Sequence, residues 1–424
     1  MMQALPGFRD FYPEEFAKRH FIFSKWREVA QRYGFWEYDG PPLESLELYT
    51  KKSGEEIVNQ LYHFVDKGER AVALRPEMTP TLVRMVAAKH RNYKKPMKWF
   101  SIPQLFRYER QQKGRLREHF QLNADIVGGG LQAEVELIAL SIHTLLELGL
   151  TKKDFRVRLS SRLVWQNFLI QLGVTGDKWD RVFAVIDKME RVPSEKTEKG
   201  FLDLGLTKEL IEKIQNAVKA RSIDALPQVE GTGELRTIIK GLHDFGMCDY
   251  VNLDLGIVRG LAYYSDTVFE IFALDKADNY TGRAIAGGGS YNHLIENLTG
   301  VKLSAIGFGM GDVVLGDLLS EKKLLDISPI QPEIFVVCAD RRFVDKTYET
   351  VADFRRRGFR VDYSLRNIID VKEQLERASE VGAKVAVIVT HEFGSKLEVK
   401  NLMTRQQESV DQEKVIGYLK DQLR

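Results

Sequence analysis

Residues 100–129 read FSIPQLFRYERQQKGRLREHFQLNADIVGG. Apolar and polar residues alternate on either side of a short basic loop containing Gly114, the period-two pattern of two antiparallel strands around a turn. In the second run Arg117, His119, Gln121, Asn123 and Asp125 fall on one side of the strand, and Leu116, Phe120, Leu122, Ala124 and Ile126 on the other. Arg107 and Glu109 form a matching polar pair on the first run. One face suits a core. The other carries charges and amides that are costly to bury dry and useful around a polar ligand. A hairpin with one wet face gives the same alternation.

Outward from this hairpin the chain reads as mixed helix and strand. Pro13 to Tyr33 is expected as a helix, with proline at its first position, Glu14 and Glu15 at the positive end of its dipole, and Gly34 as its stop. Its stripe of Phe16, Phe23, Trp26, Ala30 and Tyr33 suits a core or a subunit interface. Leu131 to Leu148 is a second helix closed by Gly149. Residues from about 165 to 245 turn polar and helical and look like an insertion. Strands return at Val251 to Leu255 and Thr267 to Phe272. After a linker near 320–332, strand and helix alternate again through EIFVVCAD, FRVDYSL and AKVAVIVT. The expected fold class is α/β. An α+β domain over 1–325 has an antiparallel sheet flanked by helices, with the insertion at about 165–245. A smaller α/β domain over 333–424 has a mostly parallel sheet.

Composition narrows the function class. With 424 residues, 44% hydrophobic and 29% charged, the chain is ordinary for a globular protein. A net charge of +2 leaves any nucleic-acid contact to local basic surfaces, and no DNA partner is expected. Two distant cysteines without a CxxC and eight scattered histidines support neither a disulfide framework nor a protein-caged metal. The start, MMQALPGFRDFYPEE, has no apolar h-region and no run reaches membrane-spanning length, so a cytoplasmic protein with no membrane partner is expected.

Three further constellations carry chemistry. Arg75-Pro76-Glu77-Met78-Thr79 puts a carboxylate and a hydroxyl two residues apart at a strand-to-helix transition; it suits a substrate ammonium, or an N-cap beside an acid. Arg259-Gly260-Leu261-Ala262-Tyr263-Tyr264 gives a guanidinium with little bulk nearby, then two tyrosines. AIAGGGSYNHLIENL, beginning at Ala284, permits close backbone approach, and the strand from Ala305 runs through Gly309 and Gly311 into a helix N-terminus. Neither a Walker loop nor a Rossmann turn is present.

In this order the elements resemble a class II aminoacyl-tRNA synthetase, specifically a histidyl-tRNA synthetase, over nearly the whole chain from GFRD (Gly7 to Asp10). Tyr33 to Pro41 resembles motif 1, Arg107-Tyr108-Glu109-Arg110 with the loop to Arg115 motif 2, and the segment from Ala305 motif 3. Arg259 to Tyr264 resembles the segment peculiar to the histidine enzymes, and the tail KLEVKNLMTRQQESVDQEKV the end of their anticodon-binding domain. The resemblance implies an ATP-dependent histidine–tRNA ligase that works as a homodimer on histidine, ATP and tRNA(His). It implies catalytic Arg107 and Arg259 at the α-phosphate, Arg115 at the outer phosphates and Glu109 at the adenine amino group. Mg²⁺ rides on the ATP phosphates. Glu77, Thr79 and Gln121 hold the substrate ammonium, Asp125 and Tyr264 the imidazole nitrogens, and Tyr263 and Tyr291 line that pocket. Arg110 and Gln112 face the tRNA acceptor end.

The sequence departs from the family pattern at three places. Val314 stands where the motif 3 helix usually carries arginine. Gly288-Gly289-Ser290-Tyr291-Asn292 replaces a GGRYD run, and Ala262 stands where aspartate is frequent. By the resemblance these departures fall in the nucleotide half and leave the histidine half intact, and loss of a cation at a phosphate is expected to cost on the order of 10²–10³ in rate unless another group supplies the charge. Two alternatives keep the fold without the chemistry: a histidine-sensing regulatory subunit of ATP phosphoribosyltransferase, and a tRNA-binding scaffold.

Overall fold

The structure is a computed structural model that describes residues 3–53, 55–108, 114, 116–258, 264–366 and 369–423. Contacts divide the chain into two compact units, Met1–Ile327 and Ser328–Arg424.

A nine-stranded sheet organises the first unit. Its order is Trp36–Glu37, Met97–Ser101, Glu118–Val127, Ala305–Gly311, Tyr280–Ser290, Thr267–Leu274, Phe155–Ser161 and Val251–Leu253. The short Gln104–Phe106 strand also pairs with Glu118–Val127. The six middle strands pair antiparallel and the two edge strands join parallel. The opening run of the expected hairpin is broken in two at Ile102–Pro103, because proline cannot donate to a ladder.

The alternation in the Glu118–Val127 strand sorts its two faces. Leu122, Ala124 and Ile126 lie in the main core with Leu137 and Ile138 of the Leu131–Glu147 helix. That helix in turn contacts the Pro13–Arg32 and Thr232–Asp244 helices. Trp26, Val29 and Ala30 of the first helix are buried there, whereas Phe16 stays 47% exposed, so its apolar stripe is wider than its packed face. On the opposite side, Asn123 and Asp125 are only 7% and 5% exposed. The polar face is therefore not a wet sheet surface; it is enclosed, and its polar groups must be met by one another or by a ligand.

Five helices between Arg162 and Asp244 fill the segment between the Phe155–Ser161 and Val251–Leu253 strands. A separate three-stranded sheet, Leu43–Ser45 with Ala71–Leu74 and His63–Val65, carries the loop of residues 75–78 into the Thr79–Lys89 helix. In the second unit Val361–Tyr363, Ile334–Cys338 and Val385–Val389 pair parallel, and Lys396–Asn401 and Gln407–Asp411 extend the sheet antiparallel. Among the described residues no helix is long and apolar enough to cross a membrane.

Candidate active site

A cavity of about 350 Å³ opens on the polar face of the large sheet. Glu77, Thr79, Arg107, Gln121, Asp125, Tyr264 and Tyr291 all line it, brought from four separated stretches of chain. Gln60, Pro76, Asn123, Phe308 and the glycines 287, 307 and 309 complete the wall; Asn123 lies on the polar face picked out by alternation.

At the deep end, Asp125 Oδ1 accepts a hydrogen bond of 2.5 Å from the Tyr291 hydroxyl. Burial pushes the Asp125 carboxyl up to about 7, and the tyrosine bond opposes that shift only partly. The carboxylate lies flat because its cross-strand neighbour is Gly307: a Cβ there would sit 1.9 Å from Asp125 Oδ1. Gly309, paired with Asn123 and so diagonal to Gln121, clears room for the Gln121 amide, whose carbon would be 2.6 Å from a Cβ there. The glycines of the 287–289 run serve different ends. Gly287 lines the cavity. A Cβ at Gly288 would strike the Gly307 carbonyl at 2.4 Å, and one at Gly289 the Thr267 carbonyl at 2.5 Å and the Tyr264 ring at 2.8 Å.

The middle of the cavity is set by the loop before the Thr79–Lys89 helix. Its N-cap is Met78, without a side-chain cap bond, so Thr79 is the first helical residue rather than the cap, and it lines the cavity. Arg75 anchors the loop from below. Its guanidinium bonds Asp39 at 2.7 Å, the Gly40 carbonyl at 2.7 Å and the Gln104 carbonyl at 3.1 Å. Arg107 reaches across from the sheet and donates to the Pro76 carbonyl at 3.0 Å. That bond ties the residue that follows the Gln104–Phe106 strand to the loop bearing Glu77.

Toward the outer end, burial and the Arg107 and Arg9 cations hold the His119 imidazole down to about 3, so it stays neutral at physiological pH. Arg9, in the GFRD run, bridges Glu118 at 2.7 Å and Asp312 at 3.0 Å. Asp312 also accepts from the Phe120 amide at 2.9 Å. The N-terminal segment therefore pins the Asp312–Glu321 helix to the Asp125-bearing strand. No spacing signal could reveal this, since the partners lie more than a hundred residues from Arg9 or from each other along the chain.

Glu109, Arg110, Gln112, Arg115, Arg259 and Tyr263 lie outside the described residues, as does Ala262. Two of the three departures can be placed. Val314 sits in the first turn of the Asp312–Glu321 helix, partly buried against the main core. Ser290 corrects the expectation that it belongs to the nucleotide half. Successive strand residues face opposite ways: Tyr291 turns to Asp125, and Ser290 donates to Glu134 Oε1 at 2.7 Å on the far side of the sheet. No charge is lost from the cavity there.

Comparison with known proteins gives this geometry a family. Residues 7–311 match the family model described as histidyl-tRNA synthetase, and residues 333–422 match that of an anticodon binding domain. A histidine–tRNA ligase of Opitutus terrae is 42% identical over 433 residues, covering 99% of this chain and 98% of the relative. The chloroplastic/mitochondrial histidine–tRNA ligase of Arabidopsis thaliana is 38% identical over 90% of this chain and 79% of its own length. The crystal structure of a Nostoc histidyl-tRNA synthetase superposes with a TM-score of 0.83 over 99% of both chains at 23% identity. A Bacillus halodurans protein described as an ATP phosphoribosyltransferase regulatory subunit/histidyl-tRNA synthetase superposes at 0.76, also at 23% identity, over 92% of this chain and 99% of its own. At that identity the superpositions report the fold alone. The full-length relatives named as ligases decide between the regulatory and catalytic readings in favour of the enzyme. The chain belongs to the histidyl-tRNA synthetase family.

Proposed function

We propose that this chain joins histidine to ATP in the cavity beside Asp125 and then passes the histidyl group to the 3′ end of tRNA(His). In the first step a histidine carboxylate oxygen attacks the α-phosphorus, the bond from that phosphorus to the bridging oxygen breaks, and pyrophosphate leaves with the electron pair. In the second a terminal ribose hydroxyl attacks the carbonyl carbon of histidyl-adenylate, loses its proton, and AMP departs.

The observation that carries this reading is the Asp125 carboxyl, buried, bonded to Tyr291 and laid flat over Gly307. A buried acid kept at the floor of a cavity suits a ligand that brings its own N–H donors, and an imidazole ring supplies them. Asp125 and the Tyr264 hydroxyl hydrogen-bond the two ring nitrogens, and Tyr263 and Tyr291 wall the ring. Glu77, Thr79 and Gln121 hold the ammonium group. The histidine carboxylate then points toward Arg107, which holds the α-phosphate as charge develops there; Arg259 meets it from the other side. Arg115 faces the outer phosphates and Glu109 the adenine amino group. His119, neutral beside Arg107, adds no positive charge of its own. Among the described residues no three His, Cys, Asp or Glu side chains converge on one point. The Arg107 guanidinium on the cavity wall suits an anionic Mg²⁺–ATP complex better than a bare ion. Mg²⁺ on the ATP phosphates supplies charge neutralisation there.

Arg110 and Gln112 meet the tRNA acceptor end, and the domain over 333–424 reads the anticodon. The working unit is a cytoplasmic homodimer. Trp36, on an edge strand and 69% exposed, offers apolar surface for a second copy to cover, and light scattering at twice the chain mass checks this. The chemistry is tested by exchange of labelled pyrophosphate into ATP with each amino acid in turn. Exchange with histidine alone is expected; histidine binding without exchange would contradict the proposal.

A further inference from the structure

The outer end of the cavity poses a question of charge. Adenylation needs cations at the β- and γ-phosphates as well as at the α-phosphate. Distances along the strand locate these groups. Asp125 and Gln121 are four residues apart, about 13 Å at roughly 3.3–3.4 Å per residue. A histidine seated with its ring at Asp125 and its ammonium at Gln121 therefore directs the triphosphate beyond Gln121, toward the hairpin loop and the start of the Asp312–Glu321 helix. Gly311, the N-cap of that helix, is the cross-strand partner of Gln121.

A third element reaches the first turn of that helix. In the Tyr280–Ser290 strand, Thr281 pairs with Ala273 and Ala286 with Ile271, so residues 282–285 stand opposite Phe272 alone. Such a bulge bends a strand and re-aims its side chains. Arg283 lies in it. Its Cδ comes 3.3 Å, and its Nε 3.9 Å, from the point a Cβ on Gly114 would occupy; Val314 Cγ2 is 3.3 Å from that same point. Gly114 is held at φ +74°, so the basic loop passes here without a side chain and the arginine runs over it. The side-chain stem of Arg283 thus sits where Gly114, the bulge and the first turn of the helix meet, with Val314 as its contact on the helix side.

We propose that Arg283 is a phosphate-binding residue of the adenylation reaction, its guanidinium meeting the β- and γ-phosphates of ATP across Gly114 and Val314. The inference rests on the reading of the cavity as the site of histidine activation. A half-buried arginine carried on a bulge, beside the bare backbone of Gly114, is placed to meet a polyanion with its planar fork of donors.

The test is histidine-dependent pyrophosphate exchange in the wild type, Arg283→Ala, Arg283→Lys and the double variant Arg283→Ala with Val314→Arg, with histidine affinity measured separately by equilibrium dialysis. Arg283→Ala is expected to lower kcat/KM for ATP by about a hundredfold with histidine affinity unchanged. Arg283→Lys should recover part of that loss. The double variant, with an arginine supplied from the helix side, should recover tenfold or more of it. Unchanged ATP kinetics in Arg283→Ala would overturn the inference, and so would an equal loss of ATP and histidine binding, which marks a structural residue. A wild type that fails to exchange overturns the underlying reading of the cavity instead, so the two failures are distinguishable.

Discussion

Two carboxylates face each other across one sheet. Asp125, on the strand, and Glu134, on the helix behind it, are both deeply buried, and burial pushes both up to about 7. Each takes a hydroxyl from the same turn of strand, Asp125 from Tyr291 and Glu134 from Ser290. Both border cavities of similar size, about 350 and 310 Å³. A perturbed carboxyl in a hollow therefore does not by itself mark the site. The difference lies in what surrounds each acid. Around Asp125 the alternate glycines 307 and 309 clear a floor on which polar side chains lie flat, and Arg107, Thr79 and Glu77 converge from other elements. Around Glu134 the wall is the helix-packed side of the sheet.

This contrast can be broken at the floor itself. Gly307→Ala forces the Asp125 carboxylate away from a Cβ that would stand 1.9 Å from it. Since a displacement of about 1 Å at a positioning group costs roughly 10²-fold, histidine kcat/KM should fall on the order of 10² or more. Pyrophosphate exchange across a histidine titration measures it, and a loss under tenfold would mean that the flat carboxylate is not what the ligand reads.

A second prediction asks where the two acids behave alike. Both folded-state pKa values are raised, so each of these two carboxyls keeps its proton in the folded chain, but not in the unfolded one, between about pH 4 and 7. Their joint contribution to stability is therefore highest at the acid end of that window, falls as pH rises toward 7, and levels above it, while His119, held down to about 3, contributes in the opposite sense over the same window. Each carboxyl contributes on the order of 3–4 kcal/mol to the fall. Denaturant unfolding of the ligand-free protein across this range should show Asp125→Asn and Glu134→Gln flattening the slope by similar amounts. A flattening by one variant alone would show that only that acid is buried as described. The smallest effect belongs to Ser290→Ala. It should cost about 1 kcal/mol of stability, the worth of one buried hydrogen bond, and leave exchange kinetics unchanged, because its hydroxyl faces Glu134.

Much of the site was legible in residues 100–129, because period two commits every other side chain to one face. Asp125 and Gln121 follow from that rule, and Gly309 from the glycines in AIGFGMG. What the chain could not reveal from spacing is what depends on register between distant strands. The pairing of Gly307 with Asp125 makes one glycine part of the floor. The pairing of Ser290 on the other face removes it from the nucleotide half, although its place in the family motif suggested a missing cation. The Arg9 bridge to Asp312 spans three hundred residues. Short strands such as His63–Val65 and Gln407–Asp411, with polar or half-exposed sequences, carry too little periodicity to read, and the Arg283 bulge has no sequence pattern of its own.

The central claim is that histidine is read by the Asp125 face and not by its mirror image. Exchange kinetics of Asp125→Asn and Ser290→Ala, each titrated separately with histidine and with ATP, test this most directly. The account predicts that Asp125→Asn raises the KM for histidine on the order of 10²–10³, as expected for a buried charged hydrogen-bond partner, with the KM for ATP within a few fold, while Ser290→Ala matches the wild type for both. Equal effects of Asp125→Asn on the two substrates, or a histidine defect in Ser290→Ala, would contradict it.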